Sequence, residues 1–122
     1  MSDKYFKSTP EMGPKDNAGD VHVVIGGNER ALDLRLDLAN HSPSGFAWNY
    51  HGSGPAQLAL AMLAYTGSDE WALDHYQEFK REVVALLKPG AWRLEFNFVR
   101  RWIRGVQDRE GQLTRKDHGD RQ

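Results

Sequence analysis

The run HSPSGFAWNYHGSGPAQLALAMLAY, residues 41–65, decides how this chain is read. Its first half is a loop dense in turn formers, with Phe46, Trp48 and Tyr50 interleaved. Its second half leaves Ser53-Gly54-Pro55 as a helix in which Gln57 is the only strongly polar side chain before Thr66. A helix that is apolar nearly all round is a buried helix, so neighbouring elements must wrap it. Pro55 suits the first turn, where its missing N–H loses no partner, and Ser53 or Gly54 can cap. Gly67 is the stop.

Working back from that helix, Asn40-His41-Ser42-Pro43-Ser44-Gly45 breaks whatever precedes it. Before the break, residues 31–38 alternate: Leu32, Leu34, Leu36 and Leu38 point one way, Asp33, Arg35 and Asp37 the other. Such alternation predicts a strand with one apolar and one solvated face. Val21-His22-Val23-Val24-Ile25 is β-branched and predicts another, joined through the hairpin turn Gly26-Gly27-Asn28. Lys4-Tyr5-Phe6-Lys7 predicts a third. The first forty residues read as a three-stranded antiparallel sheet.

Working forward, Ser68 caps a second helix whose first turn carries Asp69 and Glu70 at the positive end of the dipole. Ala72, Tyr76, Phe79, Val83 and Leu86 follow helical spacing, and Lys88-Pro89-Gly90 ends the helix. The two-helix connection is short enough for an antiparallel hairpin. Trp92 opens a short extended piece to Leu94, and a helix is expected from about Glu95 to Gln107 with Arg100, Arg101 and Arg104 on its polar side. Residues 108–122 contain one apolar side chain and read as a disordered polar tail. The expectation is one α+β domain over residues 1–107: a three-stranded antiparallel sheet on a buried central helix, a second amphipathic helix and a short C-terminal helix.

Composition narrows the function classes. The chain has 122 residues, no Cys and a net charge of −1, so thiolate metal sites, thiol nucleophiles and disulfides are excluded. The N-terminus lacks the apolar core of a signal peptide, and the longest apolar run is too short to span a bilayer, so the protein is expected in the cytoplasm with no membrane partner. Charge is uneven, with +3 over residues 91–122. A near-neutral pI of 6.5 argues against a dedicated nucleic-acid binder.

The motif His-Ser-Pro-x-Gly-Phe-x-Trp (41–48), followed by Gly-Ser-Gly-Pro-Ala-Gln-Leu-Ala-Leu-Ala (52–61), resembles a family of small uncharacterised bacterial and phage proteins. The likeness extends to Tyr76-Gln77-Glu78-Phe79-Lys80 and to Trp92, covering roughly residues 21–103. The family brings no established activity. It implies products of phages and mobile elements, and hence accessory or host-interaction roles. The partner it suggests is a host protein complex, for example a defence complex such as a CRISPR effector.

Three candidate readings follow from the residues. Gly52-Ser53-Gly54 at a helix N-terminus could receive a phosphate-bearing ligand, with Gln57 beside it and His41 or His51 as acid/base. A tight turn needing small residues for packing explains the same glycines. Arg93, Arg100, Arg101 and Arg104, with Trp48 and Tyr50, form a candidate partner-binding set, since arginine and aromatics dominate interface hot spots. The same aromatics would equally serve the core. Weak nucleic-acid binding through the arginines is the third reading. The five His show no ligand spacing, so no metal is expected; no cofactor is implied, and a homodimer is left open. The leading reading is a non-enzymatic binding protein.

Overall fold

The computed structural model describes residues 3–9 and 13–120, with the backbone alone over 112–120. In chain order the elements are β1 (Lys4–Ser8), β2 (Ala18–Gly19), β3 (Val21–Ile25), β4 (Asn28–Ala31), β5 (Phe46–Ala47), α1 (Ser53–Thr66), α2 (Asp69–Glu82), a 3₁₀ turn at Val84–Leu86, β6 (Arg93–Glu95) and α3 (Phe96–Asp120). The class is α+β, as expected.

The β3–β4 hairpin turns on Gly26 and Gly27, whose φ angles of 57° and 85° lie in the left-handed region that glycine occupies without steric conflict. Residues 31–38 depart from expectation. The pairing with β3 ends at Ala31, so the alternating leucines follow the strand rather than form it. Arg35 adopts φ 57° and its N–H donates to Asp33 Oδ1 at 2.7 Å, which turns the backbone away from the sheet. Leu32 is buried and Leu36 is exposed, so the alternation does not divide one buried face from one wet face.

The sheet has four strands rather than three, in the order β4-β3-β1-β6, all antiparallel. The additional strand is the extended piece after Trp92, which places Leu94 opposite Phe6. Buried Ser8 secures the junction. Its N–H donates to the Trp92 carbonyl at 3.2 Å, and its Oγ accepts the Trp92 N–H at 2.9 Å. β2 and β5 make a separate two-stranded ladder.

One face of the sheet packs into the core through Phe6, Val21, Val23 and Leu94, which cluster with the apolar side chains of α1. From Gly54 to Ala64 every residue of α1 is buried, as its composition requires. The opposite sheet face is solvated. There Glu29 joins Lys7 at 2.9 Å and His22 at 2.6 Å, and hydrogen bonding from Lys7, then from His22, holds its carboxyl below the ordinary value.

α2 begins as expected, with Ser68 Oγ accepting from the Trp71 N–H at 3.2 Å. It ends at Glu82, earlier than the Lys88-Pro89-Gly90 stop, so Leu86 is 73% exposed rather than part of the buried stripe. α3 docks on α2 through Trp102, whose ring meets Phe79 and Trp71 edge-on and whose Nε1–H donates to Glu82 at 2.9 Å. The helix continues past Gln107, and Glu110 reaches His75 Nε2 at 3.5 Å. Side chains over 112–120, and residues 121–122, where most of the polar tail was expected, lie outside the described residues.

Candidate functional site

The loop before α1 is anchored by Gln57, fully buried on the helix's second turn. Its Oε1 accepts the backbone N–H groups of His41 at 2.8 Å and Ser42 at 3.0 Å. Its Nε2 donates to the carbonyls of Leu34 at 2.6 Å and Ala39 at 3.1 Å. One amide thus substitutes for water at four backbone groups of a segment with no ladder of its own. Arg35 holds the same segment from outside, donating to Asp37 at 3.0 Å and to Asp69, at the start of α2, at 2.8 Å. Hydrogen bonding from Arg35 keeps both carboxyls below their ordinary value.

At the start of α1 the cap is Gly52, in extended backbone, rather than Ser53 or Gly54, and it makes no side-chain capping bond. Gly54 is packed against β5: a methyl group there would lie 2.6 Å from the Ala47 Cβ. Beside this turn a cleft of about 440 Å³ is lined by hydroxyl-bearing Ser42, Ser44, Ser53 and Tyr50, with Gly54. Neither His41 nor His51 lines it. His41 instead packs on the Tyr76 ring at 4.8 Å between centroids, with a buried Nε2 that has no partner among the described residues, and His51 is exposed. The structure therefore brings Ser53 and Gly54 together without either imidazole, and Gln57 is spent on the loop.

The candidate partner-binding residues separate into three places. Trp48 is fully enclosed and meets Trp92 edge-on at 5.5 Å, so it is a core residue and cannot be a surface anchor in this fold. Tyr50, 44% exposed, stays at the surface beside the turn into α1. Arg93 lies on the solvated sheet face with its guanidinium 3.6 Å from the Tyr5 ring centroid. Arg100 and Arg101 stand four and three residues before Arg104, and all three are exposed on the solvent side of α3. Arg101 and Arg104 have no ion-pair partner among the described residues, and Arg100 reaches only the Phe96 ring, at 5.6 Å. Phe98, absent from the sequence candidates, is 41% exposed on the same helix. The helix that carries it begins at Phe96, close to the start expected at about Glu95.

Among the described residues no group of acidic and imidazole side chains could hold a metal ion, and no helix is long and apolar enough to cross a membrane.

Fold and surface together define a small α+β domain with a sheet covered on one side and a basic outer face on its last helix. The chain belongs to the family of unknown function DUF6166, whose model matches residues 12–105. No curated protein and no solved structure matches it.

Proposed function

We propose that this protein is a small non-enzymatic binding protein that acts by occupying a surface of a macromolecular partner with the outer face of α3. The observation that supports the reading is the grouping of Arg100, Arg101 and Arg104 on one solvent-facing helix side, with the exposed Phe98 on the same helix. Planar, weakly hydrated guanidiniums suit an acidic protein surface. The resemblance to phage and mobile-element proteins favours a host protein complex in the cytoplasm, a defence complex such as a CRISPR effector being the partner class. Affinity capture from host lysate should recover one complex, and Arg100→Glu with Arg104→Glu should abolish that recovery. Undiminished capture by the double variant removes this face from the proposal. If the arginines instead hold nucleic acid, retention on DNA or RNA should fall steeply with salt.

A second reading is favoured by the hydroxyl-lined cleft at the start of α1: a phosphate-bearing ligand held by Ser53 and its neighbours. A ligand at 100 times its Kd stabilises the folded state by about 2.7 kcal/mol, so a nucleotide panel should raise the melting temperature by several degrees. A flat panel rejects this reading.

A further inference from the structure

The hydroxyl-lined cleft at the start of α1 carries more donors than the fold uses. Ser42 lines it with only 9% of its surface exposed, yet its hydroxyl bonds nothing among the described residues. The Ser42 backbone is committed elsewhere, its N–H to Gln57 at 3.0 Å and its carbonyl to the Gly45 N–H at 3.4 Å. The hydroxyl is not one of the sealed orphan atoms, so it opens into the cleft that Ser42 lines. The hydroxyls of Ser44, Tyr50 and Ser53 line the same cleft and are likewise unbonded among the described residues.

The helix adds two backbone donors. The Ala56 N–H bonds the Gly52 carbonyl at 3.0 Å and Pro55 has no N–H, which leaves those of Ser53 and Gly54 without an intrahelical acceptor. Gly54 is buried, and Tyr50 folds over it: a Cβ there would lie 3.3 Å from the Tyr50 hydroxyl. A buried donor left unmet is costly, so Ser42 and Gly54 mark the place of an acceptor.

The surrounding charge limits what that acceptor is. No charged side chain lines the cleft, so its fixed attraction for an anion is the positive end of α1, worth about half an elementary charge. The adjoining cavity shares Ser44, Gly45 and Phe46 and carries Asp20, Asp33 and Asp37 against Arg35 alone. Such surroundings favour one negative charge and oppose a second. A carboxylate carries one charge but accepts about four hydrogen bonds. A phosphodiester also carries one, and it presents four oxygens to the four hydroxyls and two amides.

Resting on the phosphate reading of the same cleft, we infer that it takes a singly charged phosphodiester group rather than a phosphomonoester, a polyphosphate or a carboxylate. The site uses none of the α3 arginines, so the Arg100→Glu, Arg104→Glu variant serves as a control.

Small probes without a nucleoside test charge and donor count directly. At about pH 7.5 diethyl phosphate carries one negative charge, ethyl phosphate close to two and propionate one. In a titration followed by backbone amide resonances, diethyl phosphate should shift the Ser53 and Gly54 N–H signals with a Kd below about 20 mM. Ethyl phosphate and propionate should bind there at least about fivefold more weakly. Ser42→Ala and Ser53→Ala should each weaken diethyl phosphate by about threefold or more. Neither hydroxyl bonds the protein, so both variants should keep the parent's melting temperature. The α3 control should bind as the parent does. Equal or tighter binding of ethyl phosphate overturns the diester assignment and leaves the phosphate reading standing. Equal binding of propionate overturns it in favour of a carboxylate. Binding that ignores both serine variants, or that is lost with the α3 arginines, overturns it as well. If neither phosphate moves the two N–H signals, the assignment and the phosphate reading fail together.

Discussion

Gln57→Leu is expected to destabilise the protein by about 4 kcal/mol, because it strands buried backbone donors and acceptors that each cost about 1–3 kcal/mol when unpaired. The groups affected are the N–H of His41 and Ser42 and the carbonyls of Leu34 and Ala39. Some of them regain water when the loop loosens, which keeps the total below the sum of the single penalties. For a chain of this size the loss corresponds to a fall in Tm of roughly 15 °C. Urea denaturation of the two proteins measures it directly. Gln57→Glu separates the two halves of the amide: it retains an acceptor for the two N–H groups but sets an oxygen against the two carbonyls. Its loss should shrink at acidic pH, where a protonated carboxyl supplies one donor. A Gln57→Leu protein within about 1 kcal/mol of the parent would mean that the loop is held by other contacts.

Gly54→Ala should cost about 2–3 kcal/mol through overpacking. The added methyl would stand 2.6 Å from the Ala47 Cβ, 3.2 Å from the Ala47 nitrogen and 3.3 Å from the Tyr50 hydroxyl. Neither the strand nor the buried helix can yield cheaply, since both are enclosed. Combining Gly54→Ala with Ala47→Gly tests the cause. Ala47→Gly alone should lose about 0.5–1 kcal/mol of strand stability. The double variant should be more stable than the two single losses add up to, by about 1 kcal/mol or more. Strict additivity would rule out the methyl contact as the reason glycine stands there. The loss should be the same with or without phosphate in the buffer, whereas a ligand-holding role for the turn would make it ligand-dependent.

The parts of the fold legible in the sequence were those that local chemistry decides. Gly26-Gly27 permits a left-handed two-residue turn, Ser68 ahead of two acids caps a helix, and an apolar helix with one amide must be buried with that amide bonded to the nearest loop. The alternation of Leu32 to Leu38 misled because its geometry is decided elsewhere. Gln57 takes the Leu34 carbonyl and Arg35 reaches Asp69, so contacts across the fold override a period-2 pattern. The fourth strand is short, and its partner lies at the other end of the chain, so no local signal could assign its pairing.

The candidate sites were less legible, for a related reason. Trp48 and Tyr50 are two residues apart with similar aromatic character, yet one is enclosed and the other is 44% exposed. Which of them faces water depends on Trp92, far along the chain.

The pairing of β1 with β6 also sets an order of events. The bond from the Trp92 N–H to Ser8 Oγ joins residues 84 positions apart. On a ribosome the first strand emerges early and must wait for almost the whole chain before its second neighbour exists. The β3–β4 hairpin and the α1–α2 pair can form from nearby residues meanwhile, leaving one flank of β1 open. Closing so long a loop adds only logarithmically to the entropic cost but slows the search for the partner. The interval is one in which an exposed strand can meet another nascent chain, and the shortness of β6 limits how much foreign strand its place in the sheet can accept.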